Sequence, residues 1–194
     1  MNALLRAALE IQDFFKSRQW DSYIIGGLAV SRWGEPRATQ DIDMTLITRF
    51  EHEEAYIEIL LGRFESRVPD APEFALRNRV ALLSASNGVP IDVALGGIPF
   101  EESALKRATF FEFAPGAVLR TCSAEDLIVL KAFADRLQDW LDVEGILIRQ
   151  GGKLDWEYVL RHLGPLCDLK ESLGIVTRLT ALHRSVRGES GDAK

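Results

Sequence analysis

The sequence predicts an α/β fold: a small mixed β-sheet flanked by helices, with a helical C-terminal part. Three observations carry this. Short apolar runs bounded by turn residues recur up to residue 121, and Asn87-Gly88 separates two of them. After Cys122, apolar residues recur at helical spacing instead. The chain has 194 residues, 47% of them hydrophobic, which is enough for one cored domain with a small appendage. The expected organisation is a core over residues 1–121, a helical region over 122–188 that closes a cleft, and a disordered polar tail over 189–194.

Each element has a local reason. Leu4, Leu5, Ala8, Ile11 and Phe15 share one helical face, so an amphipathic helix is predicted over 3–16. Tyr23-Ile24-Ile25 reads as a short strand stopped by Gly26-Gly27, and 28–33 as a short helix ended by Gly34 and Pro36. Residues 41–47 open with the alternation Asp41-Ile42-Asp43-Met44 and then become apolar, as a strand with one wet and one buried face would. Residues 51–66 read as a helix, followed by a break at Pro69 and Pro72. Val80–Leu83 and Pro90–Leu95 flank Asn87-Gly88, a hairpin signal because both turn positions tolerate positive φ. Phe110–Phe113 and Val118-Leu119 add extended pieces. Beyond them Ser123 with Asp126 forms a capping pattern, Asp155 is a second N-cap, and Gly151-Gly152 and Gly164-Pro165 separate helices.

Composition narrows the function. A net charge of −6 argues against a protein that coats nucleic acid through a broad basic surface, while leaving a local grip on one RNA end open. No apolar run reaches about 18 residues, so no transmembrane helix is expected. Glu10 and Asp13 interrupt the N-terminal apolar stretch, which speaks against a signal peptide. Cys122 and Cys167 lie far apart without a paired-cysteine spacing, and His52, His162 and His183 are scattered. Free thiols in the cytoplasm are therefore expected rather than a zinc site, and no membrane partner.

The chemistry concentrates in three aspartates. On a strand, residues i and i+2 point to one face, so Asp41 and Asp43 project together. Their like charges repel unless a cation sits between them, and Mg²⁺ suits oxygen ligands shared with substrate phosphates. Gly26-Gly27 lies upstream of Asp41, with 13 residues between Gly27 and Asp41, at a strand-to-helix junction where bare backbone N–H groups can approach a phosphate. Asp92 interrupts the apolar run Ile91–Leu95, which is unfavourable unless the carboxylate is paired, hydrogen-bonded to backbone, or metal-bound. Arg37 and Thr39, just ahead of the aspartate pair, either touch phosphate or brace the loop.

Together these features resemble the nucleotidyltransferase superfamily that includes DNA polymerase β. Its motif is a Gly-Gly or Gly-Ser turn, a short helix, Asp-x-Asp and a later third carboxylate. The string Gly26-Gly27-Leu28-Ala29-Val30, Arg37-Ala38-Thr39-Gln40 and Asp41-Ile42-Asp43 is similar, more particularly, to the AbiEii/MenT group of bacterial abortive-infection and toxin–antitoxin systems. Here Gly27 replaces the serine of many members. The resemblance implies that Asp41, Asp43 and Asp92 hold Mg²⁺ or Mn²⁺, and that a nucleoside monophosphate passes from an NTP to a hydroxyl. The acceptor would be an RNA 3′ end such as that of tRNA, or a protein, and an antitoxin partner is implied. A small-molecule antibiotic acceptor is the alternative, and a catalytically silent binding module is a third reading.

The segment Ser123–Leu127 through Lys131, Asp135, Arg136, Asp139 and Asp142 also matches that group, which carries a lysine, an arginine and two aspartates in such a helix. On one continuous helix Lys131, Asp135, Asp139 and Asp142 would form a narrow polar stripe beside the apolar face. By resemblance Lys131 contacts the triphosphate, and Asp139 and Asp142 belong to the nucleotide site. The alternative is ordinary pairing of Lys131 with Asp135 on a solvated face. Arg178, His183, Arg184 and Arg187 form a basic C-terminal patch, read as a solvated helix face or an RNA contact.

Overall fold

A computed structural model describes residues 1–172 and 174–188. The tail expected over 189–194 lies outside the described residues. The chain divides into two compact units, one formed by Met1–Ala29 with Ala38–Cys122 and the other by Val30–Arg37 with Ser123–Lys194.

The first unit holds a seven-stranded mixed sheet. Its elements are α1 (Ala3–Ser17), β1 (Ser22–Ile24), the start of α2 (Gly26–Trp33), β2 (Ile42–Ile47), α3 (Glu53–Leu61), β3 (Glu65–Ser66) and α4 (Ala71–Asn78). Then come β4 (Val80–Ser84), β5 (Pro90–Gly96), α5 (Pro99–Arg107), β6 (Thr109–Ala114) and β7 (Ala117–Thr121). The strand order is β3-β4-β5-β2-β1-β7-β6. β2 runs parallel to β5 and β1 parallel to β7, and the other neighbours are antiparallel. The α/β expectation holds.

One sheet face makes the core. Ile42, Met44 and Leu46 of β2, Ile91, Val93 and Leu95 of β5, and Ala81 and Leu83 of β4 are buried with Leu5, Ala8, Ile11 and Phe15 of α1. Burying each large aliphatic side chain contributes about 1.5–3 kcal/mol, so the period-two pattern of these strands fixes which face turns inward. Asp43 of β2 and Asp92 of β5 alternate with these residues and are consequently left half-buried on the other face.

Several boundaries move for stated reasons. The helix expected over 51–66 stops at Leu61, and Glu65–Ser66 pairs with β4 instead. Pro72 is no break: it lies in the first turn of α4, and Pro99 does the same in α5. A first-turn proline has φ preset for the helix and gives up an N–H that would have no partner there. In the hairpin only Gly88 takes positive φ, at +79°. The Gly88 N–H donates to the Ala85 carbonyl at 2.9 Å, a turn closed by a left-handed glycine rather than two left-handed residues.

The second unit is helical: α6 (Ala124–Ala134), α7 (Leu137–Gln150), α8 (Trp156–Leu169) and α9 (Gly174–Val186), with a 3₁₀ turn at Gly151–Lys153. Both expected caps are present. The Ser123 hydroxyl accepts from the Asp126 N–H at 3.1 Å and the Asp155 carboxylate from the Tyr158 N–H at 2.9 Å. Residues 30–37 join this unit because the carbonyls of Trp33 and Gly34 accept from Gln150 and Arg149, each at 2.6 Å. Gly164-Pro165 does not separate helices, since Pro165 lies inside α8. The continuous helix expected across Lys131–Asp142 is broken instead. Asp135 caps α6 in the left-handed conformation, φ +59°, and accepts from Trp140 Nε1 at 2.6 Å. Two residues of the basic C-terminal patch are absorbed by packing: Arg178 lies 4.1 Å over the Trp140 ring and His183 stacks on Trp156 at 3.8 Å. Among the described residues no helix is long and apolar enough to cross a membrane.

Candidate active site

The sheet register brings the carboxylates together. Asp43 stands directly opposite Asp92 on parallel neighbours, and Asp92 is opposite Leu82 of β4. Opposed residues share a face and neighbouring strands lie about 4.8 Å apart, so the two carboxylates are immediate neighbours. Asp41 precedes β2, and its carboxylate accepts from the Thr39 hydroxyl at 2.9 Å. Burial pushes the Asp92 carboxyl above its ordinary range; Arg67 offsets part of this, and the Asp41 carboxylate adds to the rise. Asp41 is therefore close enough for its charge to be felt at Asp92.

The glycine turn closes on the same cluster. Gly26, at φ +61°, begins α2, and a Cβ there would overlap the Asp43 carboxylate. A Cβ on Gly27 would overlap the Thr39 side chain. The serine often found at this place in the superfamily motif would here meet the Thr39 side chain. Gly26→Ala should destabilise by about 1–2 kcal/mol, lowering Tm by roughly 2–8 °C, because strain at positive φ adds to displacement of Asp43. Gly88→Ala is the comparison, since Gly88 also has positive φ but meets nothing within 4 Å. Equal Tm losses in thermal unfolding of the two variants would refute the overlap argument.

Arg67, which follows β3, was not legible as a site residue. Its Nη2 pairs with Asp92 Oδ1, its Nε donates to the Leu83 carbonyl at 3.0 Å, and its backbone N–H donates to the Leu82 carbonyl at 2.9 Å. The signal was hidden because β3 has two residues and carries no periodicity. Once Leu82 is known to face Asp92, the residue beside Leu82 follows.

The other expected site residues gather inside the helical unit. Lys131 is buried, with Nζ 2.9 Å from Asp139 and 2.8 Å from Asp142. Arg37 forks onto Asp142 at 2.8 and 3.0 Å, and Arg136 onto Asp139 at 2.6 and 3.1 Å. Lys131 therefore pairs with Asp139 and Asp142 rather than with Asp135. The helix break at 135–136 turns the second helix back, so that tertiary contact replaces the expected stripe. Burial raises both aspartates, but hydrogen bonds from Arg136 and Lys131 to Asp139, and from Arg37 and Lys131 to Asp142, outweigh it and hold both carboxyls below their ordinary range. Within this network three cations face two carboxylates.

No protein-family model matches the sequence, and a search of curated proteins finds no relative. Solved structures do resemble it. The lincosamide antibiotic adenylyltransferase LnuA, in its lincomycin-bound form, superposes with a TM-score of 0.51 at 14% identity, covering 75% of this chain and 98% of its own. An antigenic nucleotidyltransferase-like protein from Paracoccidioides brasiliensis gives 0.52 at 16% identity, covering 90% and 92%. At these identities the likeness is one of architecture, and it assigns the chain the nucleotidyltransferase fold.

Proposed function

We propose that the chain is a metal-dependent nucleotidyltransferase that moves a nucleoside monophosphate from an NTP to a hydroxyl acceptor. The observation that carries this is the Asp43–Asp92 pairing across β2 and β5, with Gly26 packed against Asp43. The donor set suits a hard divalent cation, being all oxygen, with Asp43 and Asp92 on one sheet face and Asp41 just before β2. Among the described residues no three carboxylate, imidazole or thiol side chains converge as a ready-made metal cage. Mg²⁺ characteristically takes one or two carboxylates plus substrate phosphates, so these aspartates fit an ion that arrives with a triphosphate.

In this reading Asp41, Asp43 and Asp92 would hold Mg²⁺ or Mn²⁺, which when bound would supply charge to neutralise the triphosphate. The backbone N–H groups of Gly26 and Gly27 receive phosphate oxygens at the start of α2. Thr39 braces Asp41 through its hydroxyl. Asp92 takes the proton of the attacking hydroxyl as its oxygen bonds to the α-phosphorus and the bond to the bridging oxygen breaks, releasing pyrophosphate. Arg37, Lys131, Asp139 and Asp142 would serve the nucleotide, with Lys131 and Arg37 as the cations for its phosphates.

For the acceptor, the Gly26–Val30 and Arg37–Asp43 strings support an AbiEii/MenT-like toxin acting on RNA, such as tRNA, or on protein, with an antitoxin partner. The fold shared with LnuA supports a small-molecule antibiotic acceptor comparably. Incubation with each α-labelled NTP and Mg²⁺ should place label in total RNA, in protein or in an added lincosamide. Label in none of these, across all four nucleotides, refutes the proposal.

A further inference from the structure

The carboxylate face of the sheet carries a cation of its own. Leu82, Asp92 and Asp43 form one row across β4, β5 and β2 by register, and Arg67, just past β3, joins its end through a backbone N–H that donates to the Leu82 carbonyl. Arg67 is tied to β4 twice, through its backbone N–H and its Nε. Its Nη2 reaches Asp92, and both side chains remain about a third exposed, at 32% and 33%. The guanidinium thus occupies a carboxylate oxygen of the cluster while its anchor lies elsewhere.

We propose that Arg67 is a placeholder for the divalent cation: it covers Asp92 while nucleotide is absent and transfers to the triphosphate when cation and nucleotide enter together. This rests on the metal-site reading above. A guanidinium and a divalent ion compete for the same carboxylate oxygen, so Arg67 weakens capture of a free ion. Phosphate offers a guanidinium a two-pronged partner at least as good as a single carboxylate oxygen. The Nε bond to Leu83 holds the group in place while its amino groups change partner. Linkage then requires that cation and nucleotide each strengthen the other's binding.

The test is Mn²⁺ titration, followed by electron paramagnetic resonance, with and without a non-hydrolysable NTP. Wild type, Arg67→Gln, Arg67→Lys and Asp43→Asn are compared. Arg67→Gln should bind Mn²⁺ alone about tenfold more tightly than wild type, as expected for losing one competing charge. It should also lose most of the gain that nucleotide gives wild type. Arg67→Lys keeps a cation at Asp92, so its affinity for free Mn²⁺ should stay near wild type, and it covers the case in which Arg67→Gln folds poorly. Unchanged or weaker Mn²⁺ binding by a folded Arg67→Gln, or tighter binding by Arg67→Lys, overturns the placeholder. If Asp43→Asn binds Mn²⁺ with nucleotide as well as wild type does, the metal site itself is refuted.

Discussion

Asp43→Ala is expected to lower nucleotidyl transfer by about a thousandfold or more while leaving the fold intact. The carboxylate is the one that Gly26 is shaped around and that faces Asp92 across the strand pair. Removing a ligand that neutralises transferring phosphate should raise the barrier by several kcal/mol, and each 1.36 kcal/mol is about tenfold in rate. Stability should move the other way or not at all. Asp43 is half-buried on the non-core face, and its loss relieves repulsion with Asp92 and Asp41. The measurement is label transfer at saturating Mg²⁺ alongside thermal unfolding. A folded Asp43→Ala protein with wild-type turnover refutes the site.

Lys131→Ala should have the largest effect on stability. A lysine on a solvated helix face contributes only about 0.2–0.5 kcal/mol through an i,i+4 pair, and its truncation would scarcely register. Lys131 instead bridges two carboxylates whose side chains are 1% and 3% exposed. Removing one member of a buried ion pair costs about 3–5 kcal/mol. Arg37 and Arg136 still hold the outer sides of Asp142 and Asp139, so the lower end, about 3 kcal/mol, applies. That corresponds to a fall in Tm of roughly 6–12 °C.

The same network sets an acid limit. Asp139 and Asp142 have lowered folded-state values, so their contribution is present above the unfolded aspartate value of about 3.9. It is lost as pH falls through their lowered values. Lys131→Ala removes one stabilising cation from each, and acid unfolding should then begin at higher pH. Urea unfolding of both proteins at pH 7 and pH 3 checks this; parallel losses of stability on acidification would show that Lys131 is not coupled to the two aspartates.

The sequence by itself determined what neighbouring residues decide. The alternation of polar and apolar residues from Ile42 set the strand faces, Asn87-Gly88 set the hairpin, and Ser123 and Asp155 set two helix starts, because each depends on residues four or fewer apart. The candidate aspartates were legible on local grounds too: Asp41 and Asp43 from their i,i+2 spacing, and Asp92 because a carboxylate inside an apolar run is anomalous. Prolines misled where their position mattered more than their presence, as in the first turn of α4 and inside α8. Only the tertiary structure decided which groups meet. The pairing of β2 with β5 joins Asp43 to Asp92 across 48 intervening residues, a choice among strand orders that no local pattern specifies. Arg67 reaches Asp92 through a two-residue strand too short to announce itself. Lys131 exchanges Asp135 for Asp139 and Asp142 because the chain turns at Asp135–Arg136, where a left-handed residue locked by Trp140 outweighs a continuing helical pattern. Periodicity fixes the direction of each side chain, whereas its partner is fixed by the packing that brings distant segments side by side.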